Sequence, residues 1–420
     1  MSGLNLPEKD GLEAVHIHRA PWVFSGIGPA VADGAVVVAN GRILASGSFR
    51  HLKTRYGSAS VPVWDHDGAA LVPGAVNAHT HLDFSLLCPP KPLKPPGFFR
   101  WVAGMFQAKK QLTPSRRREA QAVGRAHALQ AGTLCLANVI NPPLDGVLKV
   151  SGLPHEYRFV ELLGFHCRHL QEVFSGEEVA HTAFVSLAAH SLYATSWSLV
   201  VQAKAWCRSR ALPFSIHVAE HLPEVHFVRH GTGACRLLLE SLGRWDATWR
   251  PLGASSVRTL QVLGVLDSRT LMVHMVHVND EDWDLVARSG AAVCFCPRSN
   301  LWIQGRMPNI EAALKRGIPC GLGTDSRASN EDLNLFREAA TVLEAEPSID
   351  PAAVLRMATL GGARALGLAS SIGHLGPGAS TPFLAVSIGG SFSVESDLAE
   401  AIIHQAAQER MAWVGTGTAD

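Results

Sequence analysis

The 420-residue chain is 47% hydrophobic and 17% charged, with 37 basic against 36 acidic side chains and a formal net charge of +1. That hydrophobic fraction excludes a disordered chain, and the near-neutral balance speaks against a nucleic-acid-binding surface. No apolar run approaches the ~18 residues that span a bilayer, and the charged amino-terminal stretch lacks the apolar core of a signal peptide.

Residues 33–48 (DGAVVVANGRILASGS) predict a hairpin, since β-branched runs flank Asn40-Gly41, a pair suited to a type I′ turn. A further extended piece lies at 61–65. From about Val72 onward, short apolar runs alternate with helical stretches, as in βα units around a parallel sheet. Eight strands are predicted, at 75–79, 133–138, 157–164, 183–189, 214–219, 270–276, 291–296 and 319–324. Among the intervening helices, 115–130 starts with Thr113 as N-cap and Pro114 at its first position. Another, 280–289, follows Asn279 and opens on an acidic turn that suits the helix dipole. A helix at 351–367 completes the set. No GxGxxG follows the first strand, so a doubly wound sheet is disfavoured. The expectation is an α/β chain with a (β/α)8 TIM barrel over residues 73–368. Residues 1–72 and 369–420 supply a small β domain, with turn-rich β structure at 372–388 rejoining the amino-terminal hairpin and a tail beyond it.

In such barrels the chemistry sits where strands end, which sorts the twenty histidines. His79 and His81 close the first strand in NAHTHLDFS, and alternation puts both on one face. His217 lies in the fifth strand's IHVAE, with Glu220 three residues later. His274 lies in the sixth strand's MVHMVH, and Asp325 ends the eighth in GLGTDS. Residues from four separate strands thus converge on one mouth. Cys294 and Cys296 form a CxC inside an apolar strand and are expected to pack in the core. The eight cysteines are scattered, which suits a reducing, cytoplasmic setting. His221, His226, His230 and His277 are expected at the surface or in loops.

The ordered set PGAVNAHTHL, HVAE, VHMVH, CPRSN and GLGTDS resembles the amidohydrolase superfamily, in its mononuclear-metal deaminase branch. The resemblance covers about residues 33–388. It implies that His79, His81, His217 and Asp325 hold one divalent ion, zinc or alternatively iron. Binuclear members place a carboxylated lysine on a middle strand, and neither YRFVELLG nor AFVSLAAHS contains lysine. Neutral imidazoles and a carboxylate suit such an ion, which lowers the pKa of bound water toward ~7. The expected reaction is hydrolytic deamination of a purine-like ring by metal-bound hydroxide. Glu220 is the candidate acid for the ring nitrogen, and Asp325 and His274 would take the water proton and stabilise the adduct.

For the substrate, His190 in AAHSLY matches a position that contacts ligand in the resembled family, or else is a histidine bonded near a strand end. The segment CPPKPLKPPGFFRWVAGMF holds five prolines between 89 and 96, then Phe98, Phe99, Arg100 and Trp101. These residues form an aromatic lid over a heterocycle or pack the loop onto the rim. Phe84 is a further contact, and Arg298 in CPRSN either meets a polar substrate edge or serves a structural ion pair. HTHLDFS, CPRSN and LGTDSRASN are similar to bacterial aminodeoxyfutalosine deaminases of the alternative menaquinone route, which often carry Glu where this chain has Asp83. Deaminases of S-adenosylhomocysteine, methylthioadenosine, adenosine and guanine are neighbouring possibilities, as is a chlorohydrolase or cyclic-amide hydrolase on the same scaffold. A small heterocyclic substrate is the expected partner, with no nucleic acid and no membrane, and a homodimer is the expected assembly.

Overall fold

The computed structural model describes residues 15–58, 60–87, 98–109, 112–142, 144, 152–176, 179, 182 and 184–415. Five strands come first: β1 (His16–Val23), β2 (Val31–Ala39), β3 (Arg42–Ser48), β4 (Val63–Asp65) and β5 (Ala69–Val72). The β2–β3 turn is Asn40-Gly41, with φ of +50° and +69°, the two left-handed residues that a type I′ turn requires. Eight barrel strands follow: β6 (Ala75–Thr80), β7 (Thr133–Ile140), β8 (His155–Leu162), β9 (Val185–Ser191), β10 (Phe214–Val218), β11 (Thr270–His274), β12 (Ala292–Phe295) and β13 (Cys320–Leu322). Each of the eight runs read from apolar patterning is a strand, with ends displaced by a few residues. The chain closes with β14 (Phe383–Ser387) and β15 (Met411–Val414).

Two sheets result. The smaller is mixed, in the order β15-β14-β5-β1-β2-β3 with β4 on β1, so the two ends of the chain share one sheet. The larger runs β13 to β6 in unbroken neighbour order, and all its pairings are parallel. Its first and last strands meet through the Asp325 N–H, which donates to the His79 carbonyl at 3.1 Å, and through a parallel bridge from Thr80 to Asp325. Gly323 permits this approach, because a Cβ there would lie 2.8 Å from the His79 carbonyl oxygen and 2.9 Å from its Cβ. The seam of the barrel therefore coincides with the residues singled out as ligands.

Helices cover the outside. Pro114–Gln130 is capped by Thr113, whose hydroxyl accepts from the Arg116 N–H at 3.3 Å, and Asp280–Ser289 by Asn279, which accepts from the Asp282 N–H at 2.9 Å. The helix expected at 351–367 forms, but Met357–Gly361 is a π turn between two α segments. The carboxyl-terminal expectation needs correction. Glu395–Ala407 is a 13-residue helix, not β structure or tail. Its Leu398, Ala399, Ile402, Ile403 and Ala406 are buried in the main core with Phe336, Val342 and Leu355. Among the described residues no helix is long and apolar enough to cross a membrane.

Candidate active site

The side chains of His79 and His81 emerge from the end of β6 on one face, as period-two alternation requires. Nε2 of His79 lies 3.2 Å from Nε2 of His81 and 3.1 Å from Nε2 of His217. Asp325 Oδ1 lies 3.7 Å from the first of these nitrogens and 3.6 Å from the second. Two nitrogens each about 2.05 Å from a tetrahedral ion sit about 3.3 Å apart, so the imidazole spacing fits one shared cation. The partners behind the ring support the same orientation. His217 Nδ1–H donates to the His190 carbonyl at 2.6 Å, which leaves the Nε2 lone pair to the mouth. Asp325 Oδ2 accepts from the hydroxyls of Ser299 at 2.6 Å and Ser329 at 3.0 Å, fixing Oδ1 toward the histidines.

Protonation states agree with a ligand role. Burial first, then the neighbouring His79, pushes His81 down to about 4, and burial holds His217 well below the usual imidazole range. Burial opposes ionisation of Asp325, yet its bond to His79 and the nearby His81 and His274 outweigh that and hold its carboxyl well below the ordinary value. Imidazole nitrogens and one carboxylate make a donor set suited to zinc or ferrous iron.

Beside this group, Glu220 and His274 converge, with Oε1 and Nε2 3.8 Å apart. Glu220 follows β10 on a turn where Ala219 has φ +51°. That turn is clamped by Glu224, which accepts the N–H of Ala219 at 2.8 Å and of Glu220 at 2.9 Å. Burial, then Asp325 and Glu224, push the Glu220 carboxyl well above its ordinary value, which favours the protonated acid. His274 is pushed down to about 3 by burial and is neutral. The Asn300 amide donates to its Nδ1 at 3.0 Å, so the ring proton sits on Nε2 facing the mouth. His274 (φ +76°), Met275 (+54°) and Asp325 (+53°) share with Ala219 the left-handed conformation that non-glycine residues rarely adopt. Such strain gathers where a fold over-determines a working site.

Above these residues opens a cavity. Phe84, Trp101 and His190 line it. Trp101 also donates its indole N–H to the Ala328 carbonyl at 3.0 Å, so one side chain both faces the cavity and ties its helix to the loop beyond β13. The proline stretch at 89–96 lies outside the described residues. Phe98, Phe99 and Arg100 belong to the helix Phe98–Lys109. Arg298 is placed elsewhere. Its guanidinium is bonded to both Asp332 oxygens at 2.9 and 3.2 Å, and its backbone N–H to Glu338 at 2.8 Å. These ion pairs remove it from the set of substrate contacts. His226 and His230 are exposed, whereas His221 is fully buried and accepts the Glu224 N–H at 3.1 Å, correcting the surface reading of that residue. Cys294 and Cys296 are buried in the core.

Sequence reasoning passed over Glu161, Glu224 and the apolar wall of Met105, Leu238, Leu239 and Leu242. Glu161 carried a signal, being an acid near the end of the otherwise apolar strand FVELLG. Glu224 did too, one helical turn after Glu220.

A parallel-stranded barrel with imidazoles and a carboxylate gathered at its carboxyl end is the architecture of a metallohydrolase. The amidohydrolase family model matches residues 70–396; the chain belongs to this family and is a hydrolase acting on carbon–nitrogen bonds. It is 30% identical over 366 residues to an aminodeoxyfutalosine deaminase of Deinococcus radiodurans, covering 82% of this chain and 84% of that one. It is equally 30% identical over 377 residues to a 5-methylthioadenosine/S-adenosylhomocysteine deaminase of Nitratidesulfovibrio vulgaris, covering 83% and 78%. The fold superposes on Helicobacter pylori aminofutalosine deaminase in complex with methylthio-coformycin with a TM-score of 0.79 at 20% identity, over 93% of this chain and 96% of that one.

Proposed function

We propose that the protein is a metal-dependent hydrolytic deaminase of 6-aminopurine nucleosides, with 6-aminodeoxyfutalosine as its leading substrate. The observation that carries this is the buried Glu220 carboxyl, raised well above its ordinary value by burial and set beside the histidine group 3.8 Å from His274. An amide carbonyl is already electrophilic and its nitrogen needs a proton only on leaving, whereas an amine-bearing ring carbon becomes electrophilic only when the adjacent ring nitrogen receives a proton. The relatives' names favour the same chemistry.

His79, His81, His217 and Asp325 are the residues that would hold the divalent ion. Once bound, the ion supplies Lewis acidity and lowers the pKa of water toward ~7. Glu220 donates its proton to the ring nitrogen and orients the amino-bearing carbon toward the cluster. Asp325 Oδ1 accepts the proton that the attacking water loses, while the two serines hold Oδ2 in place. His274 presents its Nε2–H to the oxygen that has added. The carbon–nitrogen bond then breaks as the departing amine takes back the proton held on Asp325 and leaves as ammonia, while the added hydroxyl gives its remaining proton to Glu220 and becomes the ring carbonyl. Phe84 and Trp101 provide the flat apolar faces against which a purine packs.

A panel of 6-aminodeoxyfutalosine, methylthioadenosine, S-adenosylhomocysteine and adenosine, followed by ammonia release, tests the assignment. The highest kcat/KM is expected with the first. A preference for methylthioadenosine or S-adenosylhomocysteine would move the chain to the second relative's activity, and ammonia from none of them would overturn the reading.

A further inference from the structure

Glu161 is a charged residue of the cavity wall that the proposed reaction leaves unused. It lies next to the end of β8 and is only 4% exposed. Its Oε2 accepts from the Asn141 amide at 2.6 Å, whereas Oε1 is buried and has no hydrogen-bond partner among the described residues. Buried carboxylate oxygens are rarely left in that state, because they forfeit water without regaining a donor. An atom of this kind in a substrate cavity points to a ligand that brings the donor.

A second cation would be one such ligand, since Glu161, His190 and His217 present ligand atoms within 4.8 Å of one another. That option fails on His217. Its Nδ1 is bonded to the His190 carbonyl, and its Nε2 already faces His79 Nε2 at 3.1 Å, so the ring has no nitrogen to spare. What remains is a pair, Glu161 and His190, with the His190 ring held at Nδ1 by the Ser191 hydroxyl at 3.1 Å.

Their position in the barrel shows which part of a substrate they meet. Glu220 and His274 belong to the fifth and sixth strands of the barrel, Glu161 and His190 to the third and fourth. A purine with its ring nitrogen on Glu220 and its amino-bearing carbon over the cluster turns its opposite, substituted end toward the third and fourth strands. We propose, resting on the deaminase reading, that Glu161 and His190 form a subsite for the vicinal hydroxyls of a ribose, so that ribonucleosides are selected over free bases. Two adjacent hydroxyls supply the donors that the Glu161 carboxylate lacks, and His190 serves as a further partner for the pair.

The test compares kcat/KM for adenosine, 2′,3′-dideoxyadenosine and guanine in the wild type, Glu161→Gln and Glu161→Leu, with metal content and Tm measured for each. Guanine is included because its ring amino group is the other source of a donor for Glu161. The wild type is expected to favour adenosine over the dideoxynucleoside by roughly 10- to 100-fold. In Glu161→Leu that ratio falls close to one, mainly through loss of the adenosine rate, while metal content is unchanged. Inosine and 2′,3′-dideoxyinosine binding to the wild type gives the same comparison without any variant, and inosine is expected to bind at least several-fold more tightly. Equal rates for the two nucleosides in the wild type, an unchanged ratio in a metal-replete Glu161→Leu, or a preference for guanine would overturn the subsite while leaving deamination intact. Ammonia from no purine at all would overturn both.

Discussion

Glu224 accepts the backbone N–H of Glu220 at 2.9 Å, one carboxylate holding the peptide of another. Its second oxygen takes the N–H of Ala219, whose left-handed φ of +51° turns the chain so that the Glu220 side chain enters the cavity. Glu224 is itself fully buried, and burial pushes its carboxyl up to about 7. In Glu224→Gln one backbone N–H must face an amide NH2 in place of an oxygen. The expected result is a kcat reduced about 10- to 100-fold, with KM and metal content little changed and the pH–rate profile altered. Steady-state kinetics from pH 5.5 to 9 check this, and a loss seen only in Tm would reduce Glu224 to a structural part.

The histidine group and the acid separate by mutation. His217→Ala removes one of three clustered imidazoles and should lower bound metal well below one ion per chain. Glu220→Gln leaves the ligands untouched, so metal should stay near stoichiometric while kcat falls by about 10²- to 10⁴-fold. Elemental analysis alongside ammonia release distinguishes the two.

Arg298 provides a control within the same motif region. It neutralises Asp332 and stands 4.0 Å from Glu338, whose fully buried carboxyl is already pushed up to about 7 by burial. Arg298→Met should therefore cost about 3 kcal/mol of stability with KM unaffected. Urea unfolding and substrate titration check it, and a raised KM at unchanged stability would return Arg298 to the substrate.

The small sheet carries a pH dependence of its own. His18 is fully buried, its Nδ1 lies 3.0 Å from His66 Nε2, and burial, then His66 and His16, lower it to about 3. A folded-state pKa below the unfolded ~6.5 means that the unfolded chain binds the proton more readily between these values. Stability is thus complete above about pH 6.5 and declines as pH falls toward 3, by roughly 2 kcal/mol at pH 5 from this one group. Tm should drop from pH 7 to 5, and His18→Phe should flatten that slope.

Much of the barrel was legible because parallel strands buried on both faces read as short apolar runs, and AVNAH, FSIHV and TLMVH all do so. The meeting of His79, His81, His217 and Asp325 at the barrel mouth was legible because the strand-end rule converts distant motifs into neighbours. The helix Glu395–Ala407 was equally readable, since Leu398, Ile402 and Ala406 recur at helical spacing, yet it falls in the stretch read as a tail beyond the turn-rich β structure at 372–388. Arg298 was not decidable from CPRSN, because its partners Asp332 and Glu338 lie 34 and 40 residues away. Glu161 carried a signal as an acid in an apolar strand, but that its Oε1 lacks a donor among the described residues is visible only once the strand is folded.

Metal-loaded protein mixed with 6-aminodeoxyfutalosine, with ammonia and ultraviolet absorbance followed together, tests the central claim most directly. One ammonia per molecule consumed, with conversion of the 6-aminopurine to its 6-oxo chromophore and loss of both signals in Glu220→Gln, is the predicted result. Stoichiometric metal with no ammonia from this or any other 6-aminopurine nucleoside would contradict it.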